Sequence, residues 1–146
     1  MNYYLSVLKN YANFTGRARR SEYWYFILFN FIFSIAALLI DYMLGSTINV
    51  EQSNGYSYTG IHLGYINILY GLAVFIPGLA VLVRRLHDVG KSGWFFFICL
   101  IPLIGPIWLL ILMFTDSKVG INQYGPNPKG IGNHDEIDEI GSDMSK

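Results

Sequence analysis

A single cysteine, Cys99, is the whole thiol content of this chain, so no intrachain disulfide can staple it and no cysteine-based zinc cluster is available. Charge is equally sparse. Only 14% of the 146 residues are Asp, Glu, Lys or Arg, against 53% hydrophobic, a balance too apolar for an ordinary soluble domain of this length. The segment Gly45–His62 has neither lysine nor arginine. The GxxxxGK[ST] phosphate loop, the HExxH metal helix and the GxSxG nucleophile elbow are all missing, which removes the commonest signatures of nucleotide, metalloprotease and serine-hydrolase chemistry. No cofactor, metal site or nucleic-acid partner is expected. His62 and His134 each stand alone and read as loop residues.

What the chain has instead is three long apolar stretches, Tyr23–Leu44, Leu63–Val83 and Trp94–Phe114. About 22 helical residues reach roughly 33 Å, enough for a hydrocarbon core of about 30 Å. None carries the polar stripe that a small soluble bundle requires. The expected fold is therefore an all-α integral membrane protein with three transmembrane helices and a short N-terminal interfacial helix. Three regions follow: a cytoplasmic amphipathic segment 1–22, a membrane domain 23–114, and a segment 115–146 that is first Gly/Pro/Asn-rich and then acidic. Its last part, His134–Lys146, has five carboxylates and one lysine and reads as disordered.

Basic residues set the expected orientation. Lys9, Arg17, Arg19 and Arg20 precede the first stretch, and Arg84, Arg85 and Lys91 follow the second, so both sites should be cytoplasmic and Gly45–His62 external. Tyr4, Val7, Leu8 and Tyr11 share one helical face, which suits a helix over 3–13 either in the membrane interface or packed on the bundle. The third stretch is interrupted by Pro102 and Pro106. A kinked crossing helix is favoured over a re-entrant hairpin, because a turn inside hydrocarbon leaves backbone groups needing protein partners, and the choice fixes the side of the C-terminus.

Polar residues within the stretches should face protein or water. Asn30 and Ser34 lie four apart, Asp41 sits near the outer end of the first stretch, and Gly64, Asn67, Gly71 and Gly78 form a near-stripe in the second that suits close helix packing. Arg17, Arg19, Arg20, Glu22, Arg84, Arg85, His87, Asp88 and Lys91 are the candidate interaction cluster at the cytoplasmic face. They suit lipid phosphates or an acidic partner if exposed, and a charge-braced turn if they pair with one another. Glu22 has two options, Arg19 on its own helix or the central arginine pair.

Three signatures carry a family resemblance: Phe14-Thr15-Gly16-Arg17-Ala18-Arg19-Arg20-Ser21-Glu22-Tyr23-Trp24, the run Arg84 to Trp94, and Gly120-Ile121-Asn122-Gln123-Tyr124-Gly125-Pro126. The chain resembles the DUF805 group of small helical bacterial inner-membrane proteins, over nearly all of residues 1–126. It departs from the usual pattern at Val89, Lys91 and Gln123, where that group often has Thr, Arg and Arg. The resemblance implies a multi-pass location in the bacterial inner membrane, with no reaction attached. Residue chemistry then favours an accessory or scaffold component acting through membrane lipids, including anionic ones, or through a membrane-protein partner or homo-oligomer. A transporter or channel subunit is the first alternative, if Asn30, Asn67 and Asp41 line one aqueous path. A lipid-modifying enzyme at His87–Asp88 is the second, although no nucleophile accompanies that pair.

Overall fold

The computed structural model describes residues 2–46 and 64–133; nearly all of the loop Gly45–His62, and the acidic tail His134–Lys146, lie outside the described residues. The described chain is all-α: α1 (Asn2–Lys9), α2 (Arg20–Leu44), α3 (Tyr65–Asp88), a 3-10 helix (Gly93–Leu100) and α4 (Ile104–Phe114). At 25 and 24 residues, α2 and α3 are long and apolar enough to cross a membrane. Only 11% and 17% of their most apolar windows are buried within the protein, the opposite of a soluble core helix. Two compact units divide the chain: Met1–Phe26 with Pro77–Lys146, and Ile27–Ile76.

In the second unit, the polar side chains are spent on joining α2 to α3. Tyr70 donates its hydroxyl to Asn30 Oδ1, and Asn67 Nδ2 donates to the Ser34 carbonyl at 2.9 Å and to Ser34 Oγ at 3.0 Å. Asp41 is fully buried and acts as an N-cap for α3 delivered from the neighbouring helix, accepting from Ile66 N at 3.1 Å, Asn67 N at 2.9 Å and Ser46 Oγ at 2.6 Å. A carboxylate there satisfies two of the unpaired N–H groups that begin any helix and complements the positive end of its dipole. The small-residue stripe is corrected in part. A Cβ on Gly64 would fall 1.9 Å from Asp41 Cγ, so the glycine permits the cap, whereas Gly71 is exposed with nothing within 4 Å of its Cβ position and makes no such contact.

The first unit contains the largest departure from expectation. Trp94–Phe114 is not one crossing helix but the 3-10 helix and the eleven-residue α4, joined by a turn at Ile101–Leu103. Pro102 has no N–H to continue the first helix, and Pro106 falls in the first turn of α4, where none is needed. Leu103 is forced to a φ of 67°, in the left-handed region that a leucine rarely adopts. A Cβ on Gly105 would lie 1.8 Å from the Ile98 carbonyl oxygen, so only glycine lets the two short helices close. The backbone cost that disfavours such a turn is met locally, by Ile101 N to Ile98 O, Ile104 N to Pro102 O and Gly105 N to Ile101 O. Both ends of the segment meet the end of α3: Lys91 N bonds Leu86 O at 2.8 Å before it, and Lys118 N bonds Asp88 O at 3.1 Å after it. It is a hairpin, seated on Leu86, Leu112 and Met113 with Trp24 and Phe95 around them.

The short N-terminal helix packs on α2 through Tyr3 stacked on Tyr25 and Tyr4 on Phe26, with Val7 fully buried beneath. Gly64→Ala should lower thermal stability in detergent by about 1–3 kcal/mol through overpacking against Asp41. Gly71→Ala should be neutral or stabilise by up to about 1 kcal/mol, because an open helical glycine only loses chain entropy when replaced. Equal effects in a parallel melt of the two variants would remove Asp41–Gly64 as the packing point.

Candidate functional site

The cluster expected at the cytoplasmic face is built in the first unit on one residue, Asp88, the last of α3. Its carboxylate is fully buried and takes three partners: Arg17 Nε on Oδ1 at 3.0 Å, with Arg85 Nη1 and Ser117 Oγ on Oδ2, the latter at 2.6 Å. Arg85 also donates to the Thr115 carbonyl. Arg17, with 1% of its side chain exposed, donates beyond Asp88 to the carbonyls of Gly120 at 2.7 Å, Gly125 at 3.3 Å and Lys118. One guanidinium therefore ties the N-terminal signature to the end of α3 and to the chain after α4.

That last segment, 116–133, is a strap folded by its own turn residues. Asn122 and Gly125 exchange backbone hydrogen bonds at 3.1 and 3.0 Å, Gly120 N bonds Ile131 O at 3.0 Å, and buried Asn127 donates Nδ2 to Lys118 O at 3.1 Å. Gly120, at φ +75°, and Gly125, at φ +126°, hold backbone that side-chained residues avoid, which is how their carbonyls reach Arg17. Arg19 reaches the same strap at Pro128 O, with Nε at 2.7 Å.

His87 belongs to this clamp. Its ring stacks on Tyr124 at 3.7 Å and 4°, its carbonyl accepts from Asn122 Nδ2 at 2.9 Å, and Nδ1 lies 3.2 Å from the Gly16 carbonyl. A carbonyl only accepts, so Nδ1 carries the proton. Arg20 is half-exposed, donating to Phe114 O at 3.1 Å and pairing with Asp116 at 3.0 Å. Asp116 also meets Lys129; that hydrogen bond, then the one from Ser117 N, holds its carboxyl below the usual range. This surface tether is present above the ordinary carboxylate pKa and is lost as pH falls through the depressed value. Lys91 is exposed, with its ammonium 5.8 Å from the Phe95 ring centroid.

Glu22 pairs with Arg84, Oε1 to Nη1 at 3.1 Å, and not with Arg19; Ser6 Oγ lies 3.5 Å from the same oxygen. So the N-terminal and central signatures do meet, but chiefly through buried carboxylates. Arg17, Arg84 and Arg85 are not an open electropositive surface. The C-terminal signature supplies carbonyls and a stacking ring, roles that residue type alone does not announce. Ser117, Lys118 and Asn127 were not singled out beforehand; the Gly/Pro/Asn composition of their segment is the signal that a turn-rich strap, with inward carbonyls, was there to find.

With this geometry in place, comparison with known proteins becomes informative. The sequence profile described as "Protein of unknown function (DUF805)" matches residues 11–126, a span containing all three signatures. The chain belongs to the DUF805 family. Among its relatives in Escherichia coli K12, inner membrane protein YhaH is 45% identical over 131 residues, covering 88% of this chain and 98% of that one. Inner membrane protein YhaI is 44% identical over 129 residues, covering 88% and 97%. No solved structure matches the chain. It is an inner-membrane protein, and Asp88 with the side chains that meet it lies within the matched span.

Asp88→Asn should be the most damaging single change in the clamp, costing about 3–5 kcal/mol by leaving Arg17 and Arg85 buried beside a neutral amide. Limited proteolysis should then cut the strap between Ser117 and Gly130 well before the helices. A variant that melts like the wild type with an intact strap would show that Asp88 is not its anchor.

Proposed function

We propose that this protein is an accessory or scaffold component of the bacterial inner membrane that works through lipid and protein contacts. The observation that carries the reading is the state of the polar groups inside the long helices. Asn30, Ser34, Asp41, Asn67 and Tyr70 are engaged with one another or with backbone, while the surrounding faces are apolar and exposed, as at Phe31, Leu39, Leu69 and Leu72. A transport path needs polar groups turned toward water, and these are turned toward each other. His87 is committed to Gly16 and Tyr124, which disfavours the lipid-modifying alternative.

The topology that fits has α2 and α3 crossing the bilayer, the N-terminus cytoplasmic, and the 93–114 hairpin entering and leaving on the cytoplasmic side. Positive charges before α2 and after α3, with none in 45–62, support the orientation. The α4 helix, at about 16 Å, is half a hydrocarbon thickness. The strap ends on the side of Arg17. Exposed Trp94 at the hairpin base, with Tyr3, Tyr11 and Phe14, suits headgroup depth.

Two measurements test this. In intact cells carrying the Cys99→Ser background, single cysteines at Asn10→Cys and Gln123→Cys should both be protected from an impermeant maleimide, and Gly55→Cys should be labelled. Labelling at 123 with protection at 10 would put the strap across the membrane and restore the crossing helix. Photo-crosslinking in native membranes should then capture a reproducible protein or lipid; solute flux through the reconstituted protein alone would replace this reading with transport.

A further inference from the structure

We infer that Arg84 is the protein half of a binding site for a monoanionic oxyanion of the phosphodiester type. Four side-chain nitrogens among the described residues are buried without a hydrogen-bond partner: Trp24 Nε1, Arg84 Nε, Arg84 Nη2 and Arg85 Nε. All are donors, so this end of the molecule is short of acceptors. Arg84 is the case with a shape. Its contact to Glu22 uses Nη1 alone, and the two vacant nitrogens, Nε and Nη2, form one complete edge of the planar guanidinium. That edge is the fork on which a carboxylate or phosphate takes two parallel hydrogen bonds. Its side chain is only 6% exposed, and a buried unpaired donor is costly enough that an acceptor is expected there.

Charge gives the ligand its valence. Arg17, Arg84 and Arg85 have side chains at most 6% exposed, against the two carboxylates of Asp88 and Glu22, which leaves one positive charge without a counter-ion in the buried group. Asp116 does not relieve it, because that carboxylate is exposed and held by Arg20 and Lys129. A single negative charge completes the balance; a phosphodiester carries one at every physiological pH. Arg17 and Arg85 have no comparable free edge, because each is committed to Asp88 and to carbonyls. The site is closed in this structure. The element beside Glu22 is α1, held to α2 by ring stacking and by the long Ser6–Glu22 hydrogen bond.

The inference deepens the lipid-contact reading by naming the group and the chemistry, and two sources share that chemistry: a phospholipid headgroup and free phosphate. The full chain in dodecyl maltoside is titrated with phosphatidylglycerol and separately with inorganic phosphate, by calorimetry, with native mass spectrometry counting bound lipid. One phosphatidylglycerol per chain should bind. Arg84→Lys, which keeps the charge and loses the fork, should weaken it about tenfold or more. Glu22→Gln removes the competing carboxylate and should tighten it, and Lys118→Gln, at an exposed side chain outside the cluster, should leave it within about twofold. Phosphate binding without lipid binding keeps the Arg84 site and counts against the lipid-contact reading instead. The inference falls if the wild type binds neither probe, if folded Arg84→Lys binds as the wild type does, or if Lys118→Gln loses as much as Arg84→Lys. Should Arg84→Lys fail to fold, Glu22→Gln decides, and unchanged or weaker binding there overturns the proposal.

Discussion

The carboxylate of Asp88 gathers Arg17 from the N-terminal signature, Arg85 from its own helix and Ser117 from the strap, and those three contacts fix where three separated stretches of chain must meet. A carboxylate with two oxygens has about four acceptor positions, and here three are filled, two of them by guanidiniums that continue into backbone carbonyls. Burial makes the arrangement all-or-none. With Asp88 in place the two guanidiniums share one carboxylate, and without it both cations would be left in a medium that cannot solvate them. The hairpin of residues 93–114 depends on the same point, since Asp88 O accepts from Lys118 N and Arg85 donates to Thr115 O at its exit.

Much of this was readable from residue order, because the physics involved is local or compositional. The apolar lengths of α2 and α3 follow from bilayer thickness, α1 from the spacing of Tyr4, Val7 and Leu8, and the candidate cluster from charges crowded at two helix ends. Partner choice was not readable. Glu22 lies three residues from Arg19 and sixty-two from Arg84, and local spacing favours the nearer cation; tertiary packing places the carboxylate on the farther one. Exposure of the cluster stayed open between a basic surface and a charge-braced turn for a related reason. Counting arginines outside a membrane span suggests an open basic surface, but the acceptors that bury Arg17 are main-chain carbonyls, and every residue has one.

The third apolar stretch shows what hydropathy leaves out. Its length fits a crossing helix, and the general objection to a turn in hydrocarbon is sound. Two prolines four apart decide the matter together with one glycine. Pro102 and Pro106 interrupt the helical ladder, but prolines alone are compatible with a kink; it is Gly105, pressed on the Ile98 carbonyl, that lets the second arm fold back on the first. The 3-10 bonds and the short turn bonds then satisfy the backbone without water. A similar logic separates Gly64 from Gly71, identical in sequence context as small residues of one stripe, yet only one lies against a carboxylate.

Taken together, the polar groups of the chain fall into two kinds. Inside the long helices of the second unit they close on one another, so those faces offer lipid nothing but hydrocarbon. In the first unit most close around Asp88; Trp24 Nε1 and Arg85 Nε are single donors left over, and at Arg84 a whole guanidinium edge is left without an acceptor among the described residues. A structural brace has no use for such an edge: Glu22 could have taken both of its nitrogens, as bidentate pairs do, and a second carboxylate could have balanced the remaining charge. In the oxyanion proposal, that edge persists beside a single-point contact because its acceptor comes from outside the chain.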